Sequence, residues 1–115
     1  MTRYSETLHG GARRLPTRLT VPGTKLRQTV SWYMVAPNDA CAFHVHSGKT
    51  ETWLVIDGRG VAKVGDRTFD VGPGDLIIAE PGTPHGLTNA GDQALRFVNI
   101  VALDGAGPVT TRELG

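Results

Sequence analysis

The chain has 115 residues, 39% of them hydrophobic, with 15 Gly and 7 Pro, which is room for one core and not for two. Twelve Lys and Arg against eleven Asp and Glu leave a formal net charge of +1 in dispersed positions, so composition offers no footprint for nucleic acid or for an anionic membrane. Apolar runs such as residues 53–56 and 76–79 fall far short of the ~20 needed to span a bilayer, residues 1–14 lack the continuous apolar segment of a secretory signal, and the single Cys41 has no internal disulfide partner.

A cytoplasmic protein without membrane or nucleic-acid partners is the expectation. Residues 1–16 are polar, carry the Gly10-Gly11 pair and keep no steady period. They read as an arm that orders against something else, swapped in a dimer for instance, ahead of one domain over 17–115. From Thr17 onward, short runs rich in Val, Ile, Thr and aromatic residues alternate with Gly, Pro, Asn and Asp. They predict strands over 18–21, 29–36, 40–46, 51–56, 60–64, 67–71, 76–80, 85–89, 94–101 and 109–112.

Asp57-Gly58 and Gly65-Asp66 supply hairpin turns, and the 71–75 and 81–84 stretches supply stiffer corners. No stretch of about a dozen residues holds apolar positions at helical spacing without Gly or Pro interrupting it. The pattern predicts an all-β fold with little or no helix, a jelly roll of two antiparallel sheets or a small barrel.

Three of the four histidines fall in two places, His44 and His46 on one strand and His85 at the start of another. Side chains at i and i+2 of a strand share a face about 6.5 Å apart, so two imidazoles can converge on one ion. Glu51 opens the next strand and brings a carboxylate beside them, a mixed nitrogen and oxygen donor set.

These residues resemble the motifs of the cupin family. His44-x-His46, four residues, Glu51, six residues and Gly58 resemble the first motif; Gly74, then Pro81-Gly82, two residues, His85, three residues and Asn89 resemble the second. Two positions depart from the pattern: Asn38 stands where a glycine is expected, and Glu80 where a proline is expected, with Pro81 beside it. The resemblance implies a cupin-type barrel in which His44, His46, Glu51 and His85 hold one divalent transition metal, Mn, Fe, Ni, Co or Zn.

It also implies a spread of functions. The first is a metal-dependent enzyme of dioxygenase, decarboxylase, isomerase or lyase type, acting on a small oxygenated acid, sugar acid or phenolic, with Glu51 able to serve as a base. The alternative is a non-catalytic module that binds or senses a sugar or other small effector. Trp53 and Val55 share the phase of Glu51 and face the cavity, where Trp53 is either a substrate wall or plain core. Tyr33, Arg27, Lys49 and Arg96 are candidates for anchoring substrate that the sequence does not rank. Asn89 is read as tidying backbone polar groups, and Cys41, Phe43 and Val45 as lying on the face opposite to His44 and His46. That outward face and the sheet edges lead to the expectation of a homodimer.

Overall fold

Alternation with period two governs which side chains are inside. Along one strand Glu51, Trp53 and Val55 are buried while Ile56 is exposed, and along another Leu95, Phe97 and Asn99 are buried. The computed structural model describes residues 7–8, 10–17, 28–103 and 108–114, which contain eleven strands and no helix. In chain order the strands are β1 (Thr7–Leu8), β2 (Ala12–Arg14), β3 (Gln28–Val35), β4 (Ala40–Ser47), β5 (Lys49–Asp57) and β6 (Gly60–Val64). They continue as β7 (Arg67–Val71), β8 (Leu76–Ala79), β9 (His85–Thr88), β10 (Leu95–Leu103) and β11 (Thr110–Glu113).

Two antiparallel sheets face each other, one in the order β1-β2-β3-β10-β5-β8 and the other β11-β4-β9-β6-β7. The strand expected over 18–21 lies outside the described residues. Residues 12–14, expected within a loose arm, form β2 of the chain's own sheet: Ala12 pairs with Val35 and is completely buried. Three residues are too few to display a period, and it is the partner strand that specifies them.

A second difference bears on the site. Pairing of β4 with β9 runs Cys41↔Leu87 and then His44↔His85, three steps against two, so β4 carries one extra residue. Such a bulge reverses the phase of a strand. Cys41 therefore faces inward, 2% exposed, on the same side as His44 and His46, and does not share the outer face with Phe43 and Val45. Gly86 of β9 lies against the bulge, where the missing side chain makes space for the displaced backbone.

Between the sheets the core is built around Trp53, Phe97, Val35, Val55, Leu87, Leu95, Tyr33 and Ile77. Ring centroids of Trp53 and Phe97 are 5.1 Å apart and those of Tyr33 and Phe97 5.6 Å. Each such pair adds about 1 kcal/mol beyond the area it buries. Asn38, at the position where a glycine is expected, takes φ +66 between β3 and β4, a conformation that Asn tolerates better than most residues.

Candidate metal centre

His44 and His46 leave β4 on one face, Glu51 enters from β5 of the opposite sheet, and His85 stands at the start of β9, in register with His44. The turn before His85 is fixed by local chemistry. Pro81 and Gly82 are the central residues, Gly82 takes φ +84, and the Thr83 N–H donates to the Glu80 carbonyl at 3.0 Å, the pattern of a type II turn. Pro81 thus occupies the position where its fixed φ is needed, and the Gly82 N–H donates to the His46 carbonyl at 2.7 Å, tying the turn to β4.

One donor atom from each of the four residues lies within 4.8 Å of all the others, and every one of the four side chains is buried. Glu51 Oε1 is 3.4 Å from His85 Nε2 and 3.9 Å from His44 Nε2, while Oε2 is 3.3 Å from His46 Nε2. Bonds of ~2.1 Å to one ion would set donors roughly 3 Å apart at right angles and about 4 Å apart across it. The spread of the four donors is of that size.

Protons on the outer ring nitrogens define what the inner ones can do. His44 Nδ1–H donates to the Ala42 carbonyl at 2.6 Å and His85 Nδ1–H to the Thr83 carbonyl at 3.0 Å. A carbonyl only accepts, so in the neutral rings Nε2 carries a lone pair, and that lone pair faces a carboxylate oxygen. Two acceptors facing each other in a buried site require a positive charge between them. A divalent cation held by those lone pairs and the carboxylate would meet this need, so the donor chemistry fits a metal.

Burial is the largest influence on the Glu51 carboxyl and pushes its pKa up. The polar contacts of His46 and His85 and the charge of His46 and Lys49 outweigh it and hold Glu51 well below the usual carboxylate range. Lys49 Nζ stands 3.5 Å from Glu51 Oε2, which singles Lys49 out among the unranked anchoring candidates. Arg96 pairs with Asp57 at 3.7 Å with both side chains open to solvent, Tyr33 is core, and Arg27 lies outside the described residues.

Trp53 is 1% exposed, its ring 5.1 Å from His85 and 6.1 Å from His44. Its Nε1–H is buried without a hydrogen-bond partner, and so is Oδ1 of Asn99, its cross-strand neighbour on β10. Sequence reasoning passed over Asn99, although a polar residue in the inward phase of Leu95 and Phe97 was the available signal. Asn89 makes three backbone contacts, donating from Nδ2 to the Val35 and Gln93 carbonyls and accepting from the Gly91 N–H. Cys41 is no nucleophile here: burial, with the charges of Glu51 and Glu113, raises its thiol far above the ordinary value of 9.0.

The sequence profile of a family described as the cupin domain matches residues 31–101. A curated protein of Methanocaldococcus jannaschii, itself uncharacterized, is 27% identical over 73 residues, covering 64% of this chain and 58% of its own length. The oxalate-binding protein of Thermotoga maritima is 25% identical over 67 residues, covering 58% of this chain and 55% of its own length. The match thus spans little more than half of either relative. A crystal structure from Klebsiella pneumoniae, of a conserved protein with a double-stranded β-helix domain, is 27% identical with a TM-score of 0.70, covering 97% of this chain and 90% of that one.

Proposed function

The chain belongs to the cupin family, and from that premise we propose that it holds one divalent transition-metal ion at His44, His46, Glu51 and His85 and acts on a small oxygenated acid. The observation that carries the proposal is the convergence of Nε2 of His44 and His85, outer nitrogens committed to carbonyls, on the Glu51 carboxylate. Such an ion, when bound, supplies Lewis-acid polarisation of a carbonyl or carboxylate, and Mn, Fe, Co or Ni suit that role better than Zn, which favours a closed four-coordinate site.

The chain's own residues define the ligand class. Trp53 offers an apolar wall with a buried donor that an oxygen atom of a guest would satisfy, and Asn99 a buried acceptor that only a hydroxyl of a guest would satisfy. Lys49 supplies a positive charge suited to a carboxylate. The Thermotoga relative, named for oxalate binding, supports small carboxylates over sugars and phenolics. Metal-dependent enzyme is the first reading, with Glu51 as the candidate base.

A non-catalytic binding module is the second reading, favoured by the near-complete burial of all four donors. Titrating the Co(II)-loaded protein with oxalate, malate and catechol while following the visible absorption tests ligand entry. A spectral change with at least one of them is expected, and spectra indifferent to all three would contradict an open site. Turnover of the ligand that binds then separates enzyme from binding module.

We also propose a homodimer. Trp32, Val98, Leu54 and Leu76 form one row across the outer side of the six-stranded sheet, and Val30, Ile100, Thr52 and Ile78 the next. Val30, Leu76 and Ile78 are each more than half exposed. A two-fold pairing through this face would cover it.

A further inference from the structure

The three histidines are not held alike. Carbonyl oxygens fix the outer nitrogens of His44 and His85, whereas His46 Nδ1 meets a side chain, the hydroxyl of Thr111 at 2.8 Å. Thr111 lies on β11, directly across from His46 in register. Its strand is the edge of the five-stranded sheet, pairs with β4 alone, and has all four residues exposed. A hydroxyl both donates and accepts. When His46 Nδ1–H donates to Thr111 Oγ1, Nε2 is left as a lone pair for an ion; when Thr111 Oγ1–H donates to Nδ1, Nε2–H points to Glu51 Oε2, 3.3 Å away.

We propose that Thr111 is a positioning residue that sets the orientation and tautomer of His46, and that it thereby couples docking of the carboxy-terminal strand to metal binding. The proposal rests on the metal reading above. An ion at His46 Nε2 fixes the tautomer in which Nδ1–H donates to Thr111 and, by drawing electron density from the ring, makes that N–H a stronger donor than in the neutral imidazole, so occupied chains hold β11 more firmly, and by reciprocity a docked β11 strengthens ion binding. Other contacts that secure the strand include a Ser47–Thr110 hydroxyl pair at 2.5 Å, the Leu114 N–H donating to the Phe43 carbonyl at 2.8 Å, and its ladder with β4. A four-residue edge strand with every residue exposed is open to so small a bias.

The test measures Co(II) affinity by competition with a chromophoric chelator for the wild type, Thr111→Val and Thr111→Ser, together with amide exchange of residues 110–113 with and without Co(II). Valine keeps the shape and removes the hydroxyl. The expected result is affinity about 10- to 100-fold weaker for Thr111→Val and within roughly threefold of wild type for Thr111→Ser. Co(II) should slow exchange in β11 for the wild type and the serine variant, and less for valine. Wild-type affinity in Thr111→Val, equal losses in both variants, or exchange indifferent to Co(II) would overturn the coupling while leaving the metal reading in place. A wild-type chain that takes up no Co(II) would overturn both.

Discussion

A Cβ built on Gly86 would stand 3.1 Å from the Phe43 Cα and 3.2 Å from the Cys41 carbonyl oxygen, so this glycine is where β9 accommodates the bulge of β4. Backbone atoms, unlike the end of a flexible side chain, have little freedom to retreat. Gly86→Ala should therefore cost about 1–3 kcal/mol and weaken ion binding, because the bulge sets the direction of His44. Urea unfolding and a Co(II) titration of the variant check the two effects. A variant as stable as the parent would remove the glycine from the account.

Cys41 should be silent in the folded protein. Burial and the charges of Glu51 and Glu113 keep its thiol protonated far above the ordinary value of 9.0, whereas the unfolded chain loses that proton near it. The folded state then binds more protons than the unfolded state, so the thiol's contribution to stability declines as pH rises past 9.0. Thiol titration with Ellman's reagent should show no reaction at pH 8 until denaturant is added. Denaturation midpoints in a Cys41→Ala variant should fall less between pH 8 and pH 10 than in the parent.

Lys49 competes with any cation for the Glu51 carboxylate across 3.5 Å. Lys49→Met keeps the aliphatic stem and removes the charge, and should tighten divalent-ion binding by roughly tenfold, discounted for partial exposure of the side chain. The same variant should weaken oxalate binding to the loaded protein. Competition titrations with a chelator, followed by oxalate titrations, read both directions.

The outer sheet face predicts assembly. Light scattering should give about twice the 12.3 kDa of one chain at micromolar concentration, and the double variant Val30→Glu, Ile78→Glu should give the single-chain mass. A wild type that scatters as one chain would exclude the dimer.

Sequence reasoning captured strands 60–64 and 67–71 residue for residue, and the turn chemistry around them, because hairpin contacts are local. That His44, His46, Glu51 and His85 come together is legible because strand spacing and the motif distances are written along the chain, within 44–85. What escaped depends on pairing across the fold. The phase of Cys41 is reversed by a bulge that appears only when β4 meets β9, and Ala12 is buried only because β3 lies beside it. Thr111 is 65 residues from the histidine it contacts, with no local pattern to connect them. Asn99 carried a visible signal in the alternation of β10, but its lack of a partner is a property of the packed interior.

The central claim is that His44, His46, Glu51 and His85 hold one metal ion. Elemental analysis of the protein, stripped with chelator and reloaded with Mn(II) or Co(II), tests it most directly beside the double variant His44→Ala, His46→Ala. About one equivalent per chain in the wild type and only trace metal in the folded double variant is the result the account predicts. A wild type that retains no ion after reloading, or a double variant that retains full stoichiometry, would contradict it.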